Sequence, residues 1–180
     1  PAPLLTLIVG PSEEGLEIGK KKKELSERHH LRRKFWTEFL DYAKTRTKLH
    51  TAISPTDHNW LGTGAGISGL AYNYVLTQHG STIELYIDQG KGAEANNKQI
   101  FDQFHASKSE IEEVFGGPLD WQSLEGKRAC RICRKLTTGG YRSDESDWQE
   151  LHKEMVTTMI NLAKSLAPFV KNLKKTESGI

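Results

Sequence analysis

The sequence predicts an α+β domain in two layers: a mostly antiparallel sheet of two hairpins plus a short strand, with three helices packed mainly on one face. Three observations carry that reading. Residues 70–77 and 82–88 alternate apolar and polar side chains with a period of two, and the compact Gln78-His79-Gly80-Ser81 joins them, which is the pattern of a β-hairpin. Residues 119–123 and 127–136 repeat that arrangement around a turn at Glu125-Gly126. Around these hairpins, three longer stretches place apolar residues three and four apart, the helical period.

Taken in order, the chain opens with Leu4–Val9, a strand-like apolar run closed by Gly10-Pro11. Residues 11–19 hold two glycines without a period and read as a linker. A helix is expected from about Leu25 to Leu49, where Leu31, Phe35, Trp36, Phe39, Leu40, Tyr42 and Ala43 form a broad apolar face. A loop marked by Ser54-Pro55 and a glycine-rich loop lead to the first hairpin. In that hairpin Ile83, Leu85 and Ile87 share one face and Glu84, Tyr86 and Asp88 the other. Tyr72 and Tyr74 align with Leu70 and Leu76 as core. Asn96 with Gln99 reads as a capping box opening a second helix, which Gly116-Gly117-Pro118 ends. From Asp147 a third helix carries the seam Trp148, Leu151, Met155, Met159, Leu162, Leu166 and Phe169, with Pro168 expected to kink or end it. The division is a lead-in strand and linker over 1–19, one α+β domain over 20–173, and a disordered tail over 174–180.

Composition narrows the function classes. Hydrophobic residues make up 36% of the 180, enough to build one core. No apolar run approaches membrane-spanning length, no signal peptide is visible, and two cysteines cannot make a secreted disulfide framework, so the expected setting is cytoplasmic, with no membrane partner. The chain begins Pro-Ala-Pro without Met and reads as a processed protein or a piece of a longer one. A net charge of only +2 does not announce a nucleic-acid binder, but the charge is uneven. Lys20, Lys21, Lys22, Lys23, Arg28, Arg32, Arg33 and Lys34 crowd the start of the first helix against Glu24 and Glu27. Such a cluster is either a solvated helix face or a patch for phosphates or an acidic partner.

Several motifs could carry chemistry. Gly64-Ala65-Gly66-Ile67-Ser68-Gly69 matches GxGxxG, with Asp88 at a cofactor-like distance, but a dinucleotide site needs a helix after the glycines and the following residues alternate as a strand. A loop offering backbone N–H groups to a nucleic-acid phosphate stays open for Gly64 and Gly66. Glu125-Gly126-Lys127 matches half of a metal-dependent nuclease signature, so Glu84, Asp88, Glu125 and Lys127 form a runner-up catalytic set that would need Mg. Glu84 and Asp88 lie about 13 Å apart along a strand, too far to share a metal directly. Cys130 and Cys133 should diverge to opposite faces of a strand, and no second CxxC completes a zinc site. No cofactor or metal site is assigned. Trp60, Asn73 and Arg131 join the basic cluster as candidate contacts to DNA or a partner, because aromatic rings stack bases, amides read base edges and guanidinium groups hold phosphate.

An ordered set of short motifs resembles a known family. Phe35-Trp36, Ile53-Ser54-Pro55, Asn59-Trp60-Leu61, Gly64-Ala65-Gly66, Ser68-Gly69-Leu70, Tyr72-Asn73-Tyr74-Val75, Glu84-Leu85-Tyr86-Ile87-Asp88, Phe115-Gly116-Gly117-Pro118-Leu119 and Arg128-Ala129-Cys130-Arg131-Ile132 occur in sequence. Together they resemble a bacterial domain-of-unknown-function family, number 4268, over about residues 20–173. The resemblance implies a module C-terminal to a restriction-endonuclease-like PD-(D/E)xK domain in the same polypeptide, and it supplies no catalytic residues. The leading expectation is therefore a non-catalytic module of a restriction or defence protein that binds DNA or docks a partner. Two alternatives stand beside it: a divergent metal-dependent nuclease, and a homodimer joined through the seam from Trp148 to Phe169.

Overall fold

The computed structural model describes residues 13–123 and 126–177. Helix α1 (Glu13–Lys44) is followed by strands β1 (Trp60–Gly64), β2 (Leu70–Leu76) and β3 (Ser81–Ile87). Helices α2 (Glu94–Ala106) and α3 (Lys108–Phe115), strands β4 (Asp120–Gln122) and β5 (Cys130–Leu136), a single 3-10 turn (Glu145–Asp147) and helix α4 (Trp148–Glu177) complete the chain. The five strands form one antiparallel sheet in the order β1-β2-β3-β5-β4. The α+β class stands. In detail there are four helices rather than three, and a three-stranded meander stands where one hairpin was expected.

The register explains which side chains meet. Tyr72, Leu85 and Ile132 lie in one cross-strand row, and Leu70, Ile87 and Cys130 in another. All six are buried, as the period-two alternation requires once one face is covered. The helices cover that face: Phe39 of α1 packs edge-on against Tyr74 at 4.6 Å, and Phe101 and His105 of α2 pack on Trp121. The α4 seam is spent inside the chain, with Trp148, Leu151, Met155, Met159, Leu162 and Leu166 all buried. The surface that a seam-mediated homodimer would use is thus already core.

Four local expectations need correction. The glycine-rich loop contains the edge strand β1: Leu61 turns into the core while Trp60 stays 50% exposed. Its short polar sequence, WLGTG, gave no alternation to read. The capping box is not formed. α2 starts at Glu94 without a side-chain cap, and its useful amide is Asn97, which accepts from Gln89 N (2.9 Å) and donates to Arg128 O (3.1 Å), tying the helix to the ends of β3 and β5. The single second helix is two, divided at Ser107. Pro168 lies inside α4 and does not end it, since the buried Leu166 and Val170 on either side hold that turn to the core.

The first helix also starts earlier than its apolar face. α1 reaches back to Glu13, into the stretch read as linker. A Glu17–Lys21 pair at 3.8 Å spans one turn. At the other end the helix stops at Lys44, where Thr45 caps back on Tyr42 O, rather than running to Leu49. α4 continues to Glu177, past residue 173. The lead-in strand at Leu4–Val9 lies outside the described residues.

Candidate functional site

The second face of the sheet carries Trp60 and Gly62 from β1, Ala71, Asn73 and Val75 from β2, and Thr82, Glu84 and Tyr86 from β3. Arg131, Cys133 and Lys135 from β5 and Asp120 and Gln122 from β4 extend it. A concavity of about 440 Å³ lies on this face, bounded by Asn59, Trp60, Ala71, Asn73, Val75, Glu84 and Tyr86, all from the sheet or its edge. Among the described residues no helix residue lines it.

Polar groups are buried in its floor. Asn73 and Glu84 are 8% and 4% exposed and face each other across β2 and β3, with Asn73 Nδ2 donating to Glu84 Oε1 at 3.2 Å. Gly62, opposite Asn73 on β1, makes this possible: a Cβ there would sit 2.0 Å from Asn73 Oδ1. Arg131 Nη1 approaches Glu84 Oε2 at 3.6 Å, and Arg131 Nε donates to Gln122 Oε1 at 2.5 Å. Burial pushes the Glu84 carboxyl above the usual range, against the lowering effects of Asn73 and Arg131. Among the described residues, neither Asn73 Oδ1 nor Glu84 Oε2 has a hydrogen-bond partner.

The runner-up catalytic residues do not share this floor. Asp88 is held by Arg128 through two hydrogen bonds of 2.6 and 2.7 Å, which hold its carboxyl below the usual range. Lys127 is exposed beside it, and Glu125 lies outside the described residues. Among the described residues no group of three His, Cys, Asp or Glu side chains could hold a metal ion. Cys133 faces the Glu84 row and Cys130 the core, so the two thiols diverge, and burial pushes Cys133 up to about 11. Around Gly64 and Gly66, which border open space, part of the loop is hydrogen-bonded internally. Ala65 N donates to Leu70 O and Leu70 N to Ile67 O, and strand β2 follows where a dinucleotide site would need a helix. Gly69, at φ +78°, lets the loop close against Asp88 and Gln89 where a Cβ would not fit.

The basic cluster lies on the half of α1 that extends beyond the core. Lys20, Lys21, Lys22, Lys23 and Arg33 are exposed, whereas the buried face begins only at Phe35. Within the cluster, Lys21 pairs with Glu17 and Lys34 with Glu145, and Arg32 stacks over Tyr141 at 5.1 Å. Among the described residues the other cations of the cluster have no carboxylate partner. A cleft of about 240 Å³ separates this half of α1 from Gln78 and Arg142. The helix runs beside the start of β1: Trp36 Nε1 donates to His58 O at 2.9 Å, and His29 lies 3.6 Å from Asp57. His58 stacks on Trp60, rings 6.3 Å apart and 12° from parallel. The loop residues Asp57 and His58 thus link α1 to the edge of the sheet at Trp60.

Sequence reasoning had named Trp60, Asn73 and Arg131 but had set Glu84 only in the nuclease set. The signal that joins Glu84 to Asn73 is the hairpin register, which the Gln78–Ser81 connection fixes. Comparison with known proteins adds a family. Neither the curated proteins nor the solved structures contain a match to the chain. The profile described as "Domain of unknown function (DUF4268)" matches residues 31–170, which is most of the chain and includes the whole sheet. The chain belongs to the DUF4268 family.

Proposed function

We propose that this domain is a non-catalytic DNA-docking module that serves a restriction-endonuclease-like domain in the same bacterial polypeptide. The observation that carries the reading is the basic half of α1. It places Lys20, Lys21, Lys22, Lys23 and Arg33 in solvent without covering body, and their charge is largely uncompensated. A packed helix face has no need of such a concentration. A helix that meets the phosphate backbone does, because each contact releases counterions. Of the carboxylates a nuclease would use, the two that are described are engaged, Asp88 by Arg128 and Glu84 by Asn73 and Arg131.

Fluorescence anisotropy with a labelled duplex over a salt series tests this. The chain should bind at low salt, with affinity falling by roughly 0.9 log units per log unit of salt for each phosphate contact. Replacing Lys20, Lys21, Lys22 and Lys23 by Gln should weaken binding by at least roughly tenfold and flatten the slope. These side chains are exposed, so the fold should tolerate the change. Absence of binding at low salt, or an unchanged slope in the variant, contradicts the reading.

A further inference from the structure

Asn73 and Glu84 pose a problem that the fold does not solve. Both are more than nine-tenths buried, and among the described residues no helix covers their face and Asn73 Oδ1 and Glu84 Oε2 lack hydrogen-bond partners. Leaving buried polar groups unsatisfied is costly, and an apolar pair at these positions would pack the sheet at no such cost. Their surroundings fit a flat ligand. Ala71 and Val75 give the concavity a low floor, the Asn73 amide lies over Gly62 on the β1 side, and Trp60 and Tyr86 line it as well.

We propose that this concavity receives one unpaired nucleobase of a single-stranded nucleic acid, stacked against Trp60, with its hydrogen-bonding edge on Asn73 and Glu84. This deepens the DNA-docking reading and rests on it. The volume of about 440 Å³ suits a base with its sugar. Aromatic rings on an open face give sequence-tolerant stacking. The atoms without a hydrogen bond are an amide oxygen and a carboxyl oxygen, the second 3.6 Å from Arg131 Nη1, and both can accept hydrogen bonds. They match the exocyclic amino groups of cytosine, adenine and guanine better than thymine, which has none. Charge is complementary as well: Arg131 borders the carboxyl, Lys127 is exposed further along the face, and the loop that stacks His58 on Trp60 is tied to α1 through Trp36 and His29. A strand held on α1 by its phosphates is thereby led onto the sheet.

The test compares three single strands of about twelve nucleotides, within the span of known strand-binding surfaces: oligodeoxycytidine, oligodeoxythymidine and an abasic strand of the same length. Binding is followed by anisotropy and by Trp fluorescence of the whole chain. The inference expects the cytidine strand to bind at least fivefold more tightly than the abasic strand, with thymidine between them. Trp60→Ala should erase the advantage of bases while leaving abasic-strand affinity within twofold. Glu84→Gln should narrow the gap between cytidine and thymidine. Equal affinity for base-bearing and abasic strands, or a Trp60→Ala loss equal on both, overturns the inference and leaves duplex docking intact. If no strand and no duplex binds, the functional reading falls and takes this inference with it.

Discussion

The two faces of the sheet are built from the same five strands in the same register, yet they are different materials. Toward the helices, Tyr74, Ile83, Leu85, Ile87 and Ile132 are fully or almost fully excluded from water. On the other side the central row runs Gly62, Asn73, Glu84, Cys133 and Asp120, an amide and two carboxyls among five residues. The inner face holds the fold together through apolar burial, which is non-directional and tolerant of exact geometry. The outer face keeps directional groups in fixed positions at a cost in stability. The rigid inner face is what allows the outer one to be precise.

The contrast can be broken most sharply by truncation. Leu85→Ala, on the inner face at 0% exposure, should cost about 2–5 kcal/mol in denaturant unfolding. Val75→Ala, on the outer face, should cost under about 1 kcal/mol. Similar losses at both sites would mean that the outer face is also covered.

Acid separates the faces next. His50 and His152 lie buried on the helix side, and burial lowers each to about 4 from an ordinary 6.5. A histidine held neutral in the fold adds stability that is complete above the unfolded value and is lost as pH falls from 6.5 toward 4. Each could account for up to roughly 3 kcal/mol across that window. Denaturant midpoints from pH 7 to 4 should fall, and His152→Gln should flatten part of the fall whatever it does to the absolute level.

Glu84 has the opposite sign and a smaller effect. Its carboxyl is raised by burial, so the folded chain holds the proton more firmly than the unfolded one. Its contribution is favourable in acid and is lost as pH rises from the unfolded carboxylate value through the raised one. Glu84→Gln should therefore raise the melting temperature at neutral pH, with the gain shrinking in acid. A gain that is equal at both pH values would show that ionisation of Glu84 is not what strains the outer face.

Much of this was legible in the sequence, for identifiable reasons. The β2–β3 hairpin was clear because one-sided burial imposes strict alternation on Leu70–Leu76 and Ser81–Ile87. Strand β1 was hidden because three of its five residues are Gly or Thr and only Leu61 is buried. The early start of α1 was hidden because residues 17–23 are exposed, so no apolar period marks that stretch. Of the site, the exposed cations were visible as a charge run, whereas the Asn73–Glu84 pair exists only through cross-strand register, and Gly62 matters only because Asn73 lies over it.

The four tryptophans offer the most direct test, because they sample separate regions. Trp36 and Trp148 lie in the core, Trp121 sits under α2 on the helix side, and Trp60 stands on the open face beside α1. An NMR titration of the labelled chain with DNA should move the Trp60 indole N–H and the backbone signals of residues 20–34, and leave Trp36, Trp121 and Trp148 essentially in place. Shifts concentrated on Trp121 or the exposed side of α4, with Trp60 unmoved, would contradict the assignment of the working surface to the open face and the basic helix.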